Sequence, residues 1–440
     1  MSETQRSSQQ HTSHAQHHVP PPNPFLALLF VGGVGGFIWR ASGGFADRTA
    51  WGYYAAMVMY IFTTFQAAPI CAVATRLVKA HWRRPMARAA ELCAIVGVFN
   101  FFLFLPLLWL IPPLKGRSSL WFDWPLGAPY LFDVLAMGGL ALLGLALVWT
   151  SALPDFAAAR DTLPERRGLY ARLSFGWLGT KRRWLVHEWA VIVLGALYLA
   201  SYVMTSTILS TEFSMSLVPG WRSSVYPAYH TITGLQNGIA TTLVILLVLR
   251  TVGGYRQYVG LEQFWGLAKL LLALSLLWFY FWWSDFIVHW YGRTPREQNI
   301  MLLLMFGPYQ IAFFIAWLCS FLIPFICLAT NRIRVSVLGP PIVALSPLIG
   351  SFFDRIRLYV SAFSIEDPFH HELTQVPPTH LPDGADVLLV VGGVAGAILV
   401  YLLATRIVPV LSHWEMQEGI LLRAVRPLLR MPALVIGKPR

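Results

Sequence analysis

Asp285 and His289 stand four residues apart in FYFWWSDFIVHWYGRTPREQ, a spacing that stacks a carboxylate and an imidazole on one helix face. Such a pair exchanges a proton with a reduced organic ligand, relays one outward, or simply sits as an interfacial pair in the belt of Trp282, Trp283, Trp290 and Tyr291. Asp133, just after GRSSLWFDWPLGAPY, is a second acid inside an apolar run, and Glu91 and Glu188 lie near the ends of two others. A charge in hydrocarbon is retained only at a cost of several kcal/mol, so these residues are candidates for function. Gln66, Asn100, Ser206, Gln236, Asn237 and Gln310 are uncharged polar groups at middle depth, suited to lining a bundle interior. Interhelical hydrogen bonds of ~1 kcal/mol each are their plainer role.

The elements that must position these residues are long apolar stretches. Hydrophobic residues make up 56% of the 440, charged residues only 12%, about half the share of a soluble domain. Mean hydropathy is +0.57. Ten spans are predicted near 24–39, 51–79, 87–112, 129–151, 184–208, 228–250, 262–290, 300–329, 335–359 and 385–411. The fold expected is an all-α integral membrane protein of about ten helices. Most Lys and Arg fall in alternate connections and in the two tails, which by the positive-inside rule puts both termini in the cytoplasm. A net charge of +12 thus answers to topology and gives no reason to expect nucleic acid.

The remaining segments are polar. Residues 1–23 form a Gln/Ser/His/Pro-rich tail expected to be disordered, with no apolar core for a cleaved signal; its His11, His14, His17 and His18 could bind a metal, but an unstructured His-containing arm is the plainer reading. LPDFAAARD and GWLGTKRRW, between 153 and 183, read as an amphipathic basic stretch at the headgroups. Residues 361–384 form an acidic, Pro-rich outer loop that caps the protein or touches a partner, and 412–440 a basic cytoplasmic tail. Cys71, Cys93, Cys319 and Cys327 lie singly in different places, and His187, His230 and His289 sit near span ends on two sides. Neither haem, an iron–sulfur cluster nor a metal is expected in this chain.

RRPMARAAE (83–91), APYLFDVLA (128–136), LPDFAAARD (153–161), GWLGTKRRW (176–184), PGWRSSVYPAYH (219–230), SDFIVHWYGRTPREQ (284–298), IGSFFDR (349–355) and the tail through RIVPVLSHWEMQEGIL run in order along the chain. Together they resemble the NrfD/PsrC family of polytopic quinone-reacting subunits, specifically the paralogous large membrane subunits of bacterial alternative complex III. The resemblance implies two four-helix bundles, 51–208 and 209–360, flanked by extra helices at 24–50 and 385–411. It implies a quinol site in the first bundle near the outer face and no redox centre in the chain itself. Electrons would pass to extrinsic iron–sulfur and c-type cytochrome subunits, beside a paralogous membrane subunit in the bacterial inner membrane.

On this resemblance, Asp133 matches the intramembrane aspartate after the outer loop, and Trp290, Tyr291, Gly292 and Glu297 match the seventh-span motif. Gln66 and Ser206 stand where some quinol-oxidising relatives have histidines. Both hydrogen-bond a quinone carbonyl but accept no proton at neutral pH. One expectation is therefore a quinone site of Gln66, Asp133 and Ser206, with Asp133 taking the proton. The other is a proton-conducting or scaffolding paralogue in which Asp285, His289, Glu91 and Glu188 form half-channels. A secondary transporter is a third reading, permitted by the span count and the Gly339–Pro341 interruption.

Overall fold

The structure, a computed structural model, describes residues 23–113, 119–120, 129–428 and 431–436, with backbone alone from 423 onward. The histidines of the N-terminal tail and most of the GRSSLWFDWPLGAPY connection lie outside the described residues. The chain is an all-α, multi-pass membrane protein, and among the described residues nine helices are long and apolar enough to cross a bilayer. They are α1 (Pro24–Ser42), α2 (Thr49–Leu77), α3 (His81–Trp109), α4 (Tyr130–Thr162), α5 (Lys181–Leu217), α6 (Tyr226–Thr251), α7 (Leu261–Gly292), α8 (Gln310–Ala329) and, last in the chain, α10 (Gly384–Ala404). Between the last two runs α9, residues 339–363, whose buried Asp354, Arg355 and Arg357 lower its hydropathy.

Helices α2 to α5 form one four-helix bundle and α6 to α9 a second, joined where α6 packs on α2 and α5. An ideal Cβ on Gly238 would lie 2.6 Å from the Ala67 carbonyl carbon, so glycine is what lets α6 approach the α2 backbone so closely. Helices α1 and α10 pair outside the bundles and lean on α2 and α3; a Cβ on Gly33 would lie 2.6 Å from the Gly392 Cα. Arg40 pins this pair through Asp383 at 2.6 Å and the buried Asp386 at 2.8 Å.

Several spans differ from their predicted limits for identifiable reasons. LPDFAAARD is no surface segment: it continues α4 through Pro154 to Thr162. The span predicted at 300–329 is broken at Gly307–Pro308, where proline supplies no N–H, and only Gln310–Ala329 crosses. The Gly339–Pro341 interruption is the start of α9, with proline in its first turn. The outer loop caps one end of the molecule: the Tyr53 hydroxyl donates to the His380 carbonyl, Asn299 to that of Leu373, and Thr379 to that of Pro308. The segment 412–440 opens with a helix, α11 (His413–Leu421), and continues as a hairpin of β1 (Arg423–Leu428) and β2 (Met431–Ile436). We call the end bearing Arg76, Arg83, Arg84 and Arg88 the arginine-rich end, and the opposite one the far end.

Candidate functional site

One buried polar assembly lies in the far half, across the seam between the bundles. On α9, Asp354 sits 2.7 Å from Arg355 and 2.7 Å from Arg357, all three closed off from solvent. The Tyr229 hydroxyl donates to Asp354 at 2.7 Å and accepts from Arg357 at 3.0 Å. One aspartate between two guanidiniums leaves a net positive charge, which a low-dielectric interior tolerates poorly. Asp285 shares with Arg357, Tyr226 and Tyr229 the wall of a partly open space of about 10 Å³, room for about one water.

From Asp285 the polar groups continue toward the far surface. Its carboxylate accepts a short hydrogen bond from the Ser223 hydroxyl in the loop before α6. His289 lies one turn on, but its Nδ1 meets the Asp285 carbonyl at 2.8 Å, while the two side chains are 3.9 Å apart. The helix backbone therefore orients the imidazole, and the carboxylate is left to Ser223. Trp290 and Tyr291 are exposed. Glu297 closes a capping box, accepting from the Thr294 N–H and hydroxyl, and those bonds hold its carboxyl below the usual range.

In the other direction the assembly reaches the first bundle. Tyr359, two residues past Arg357, bonds His230 Nε2 at 2.9 Å, and Ser206 on α5 bonds His230 Nδ1 at 2.8 Å. Thr231 donates to the Ser206 hydroxyl at 3.0 Å. His230 is fully buried between two hydroxyls, with Phe62 and Tyr226 beside its ring. Ser206, expected at a quinone, is thus the α5 partner of a histidine.

Gln66 belongs to a different cluster. Pro69 has no N–H for the Phe65 carbonyl, and α2 relaxes into a π-helical turn over Phe62–Gln66. Ile70 then bonds back to Ala67, and the Gln66 carbonyl is free to accept the Tyr198 hydroxyl at 2.6 Å. Its side chain accepts from Asn100 on α3 at 2.9 Å. Asp133 is fully buried in the first turn of α4, one turn before Ala136, whose carbonyl accepts from Thr205 next to Ser206. Glu212, an acid the sequence reading passed over, is buried near the far end of α5 and accepts from Ser119 and the Leu120 N–H.

A second ion network closes the arginine-rich end of the first bundle. Glu91 is 2.6 Å from Arg76 and 3.4 Å from Arg88, and accepts from Ser151 at 2.6 Å. Arg88 reaches Asp155 on α4 at 3.0 Å. Helix α11 completes it: Glu415 lies 3.0 Å from Arg76 and 2.6 Å from Arg83, and Glu418 lies 3.1 Å from Arg84. Burial opposes a charged Glu415, but Arg83 and Arg76 outweigh it and hold the carboxyl at about 2. Trp414 packs edge-on to His187, which is buried against the Thr150 carbonyl. Glu188, the next residue, faces outward and takes no part.

Of the residues singled out from sequence, the structure joins Asp285 to the far network, places Ser206 at its other end, and holds His289 beside it. It sets Gln66 with Asn100 and Tyr198, puts Glu91 at the opposite end, and leaves Glu188 on the surface. Asp354, Arg355, Arg357, Tyr229, His230 and Tyr359 were missed as a group. Their signal was the DRIR run inside an apolar span. Among the described residues no cluster of His, Cys, Asp and Glu has the makings of a metal site. Comparison with known proteins gives no match, either to a family model or to a curated protein.

Proposed function

We propose that this chain is a membrane subunit of a bacterial respiratory oxidoreductase, non-catalytic alone, that carries protons coupled to quinone chemistry. It would sit in the cytoplasmic membrane with both termini inside, beside extrinsic iron–sulfur and c-type cytochrome subunits and a paralogous membrane subunit. The sequence resemblance to the NrfD/PsrC family supports the setting. The observation that carries the proton role is a pair of buried exchangeable groupings, Ser206–His230–Tyr359 and Asp285–Ser223, set on either side of the Asp354 cluster.

Each group suits the task. An imidazole flanked by two hydroxyls takes a proton on one nitrogen and gives one from the other, so His230 passes protons without a lasting charge. The guanidiniums of the Asp354 cluster keep their protons, and Tyr229, bonded to both Arg357 and Asp354, holds that cluster in place between the two ends. Asp285, which lines the same small space as Arg357 and is itself partly exposed, is the natural point of release.

The quinone-binding reading keeps in its favour the full burial of Asp133 at the far end of the first bundle. Of its other two members, Ser206 is engaged with His230, while Gln66 accepts from Asn100 through Oε1 and keeps its buried Nε2 without a partner, a donor that could meet a quinone oxygen. The test is quinol-driven turnover of the whole complex in native membranes, with protons counted. Asp285→Asn should lower protons released per electron while electron transfer continues. If Asp285→Asn leaves that ratio intact and Asp133→Asn alone stops turnover, the proton role is wrong and the quinone role is right.

A further inference from the structure

We propose a binding site for an anionic phospholipid of the arginine-rich leaflet, in a cleft where both bundles meet the flanking pair. The cleft has a volume of about 350 Å³ between α2, α6, α9 and α10. It begins at mid-depth, at Thr64, Thr241 and Val394, and ends at Val252, Tyr255 and Thr405. Helical rise from Thr241 to Val252, and again from Val394 to Thr405, is about 16 Å. One leaflet of a bilayer hydrocarbon core is about 15 Å thick. The cleft therefore has the length of a single leaflet's acyl chains and stops where a headgroup would sit.

Its walls and rim differ in chemistry. The walls are almost wholly apolar; Thr64 bonds the Tyr60 carbonyl, Thr405 that of Leu402, and Tyr401 that of Ala89, while the Thr241 hydroxyl at the deep end has no partner. Hydrocarbon fits such a surface better than a quinone ring, which needs donors for its oxygens. At the rim, Arg256 follows Tyr255 and Arg406 follows Thr405, and both are exposed. Arg166 donates to the Arg406 carbonyl and Arg250 to that of Arg256, bringing two more guanidiniums to the same edge. Of the acids at this end, Glu91, Asp155, Glu415 and Glu418 are bound to Arg76, Arg83, Arg84 and Arg88, Asp161 pairs with Arg160, Glu262 lies against His81, and Glu188 and Glu165 are exposed, the latter beside Arg166. Arg166, Arg250, Arg256 and Arg406 against Glu165 leave the rim net positive, and an anionic headgroup complements it.

The experiment is native mass spectrometry of the full chain, stripped of lipid in detergent and titrated with palmitoyl-oleoyl phosphatidylglycerol or the matching phosphatidylcholine. Wild type should retain phosphatidylglycerol preferentially. The pair Arg256→Ala and Arg406→Ala should weaken it by roughly thirtyfold, the effect of two basic residues near an anionic surface, while sparing phosphatidylcholine. Val248→Trp, which fills the cleft and leaves the rim intact, should exclude both. Equal retention of the two lipids, or loss of phosphatidylglycerol to added ubiquinone with the arginines irrelevant, would overturn the assignment. The second result would make the cleft an isoprenoid site.

Discussion

Glu415→Gln should undock α11. The wild-type carboxylate is buried between Arg76 and Arg83, at 3.0 and 2.6 Å, and the amide removes its charge without changing its size. Two routes give the magnitude. The gap between an ordinary glutamate at 4.5 and this one at about 2 corresponds to about 3 kcal/mol. Breaking a buried ion pair by deleting one partner costs about 3–5 kcal/mol. Glu418 with Arg84, and the His413 N–H on Asp155, still hold the helix, so the effect should be confined to local opening. Hydrogen exchange of 413–421 should then quicken roughly a hundredfold at neutral pH while α2 and α3 stay protected. The folded-state value is depressed, so this contribution is complete above about 4.5 and is lost as pH falls toward 2. A nitroxide at the exposed Gln417 should gain mobility over that range in wild type and be mobile throughout in Glu415→Gln. Unchanged exchange in the variant, or an acid response identical in both proteins, would refute the role given to Glu415.

Further substitutions test the far half and the seam beside it. Asp354→Asn leaves Arg355 and Arg357 without their carboxylate and should cost about 3–5 kcal/mol in thermal or denaturant unfolding in detergent. Tyr229→Phe, which removes one hydroxyl from the same cluster, should cost only about 1 kcal/mol by the same measurement. Gly234→Ala places its methyl on the Tyr202 hydroxyl and should destabilise by about 1–3 kcal/mol. Adding Tyr202→Phe to Gly234→Ala should restore most of that loss, and failure to do so would put the strain elsewhere.

How much of this was legible in the sequence depends on the range of the interaction. Hydropathy located the spans because each reports on its own environment, and the four-residue spacing of Asp285 and His289 put them together on α7. The same local reasoning misjudged LPDFAAARD, where Pro154 and Asp155 look like a terminus but the helix continues because α3 and α11 supply partners for Asp155. Pairings between distant segments had no local mark. His230 reads as a histidine near a span end until Ser206 and Tyr359, more than a hundred residues apart from each other, close on its two nitrogens. The tail from 412 reads as basic because its arginines outnumber its acids, yet Glu415 and Glu418 decide where it docks.

The two ion networks bear on the mechanism through what separates them. From Glu91 to Asn100 helix α3 rises about 14 Å, past Cys93, Ala94, Val96 and Gly97, all buried and none able to hold a charge. Beyond that gap Asn100, Gln66 and Tyr198 are bonded to one another, and Phe62 stacks on Tyr202 at 4.8 Å. Among the described residues, a proton therefore has no static line of groups along α3 from Glu91 toward His230, although each end is well provided. The π-helical turn at Phe62–Gln66 is the place where the line is cheapest to complete. Its backbone bonding is already irregular, and Phe62 on its first residue touches the His230 ring while Gln66 on its last meets Asn100. A shift of that turn moves both contacts together. On the proton-carrying reading proposed above, coupling between the arginine-rich network and the far one would run through movement of α2.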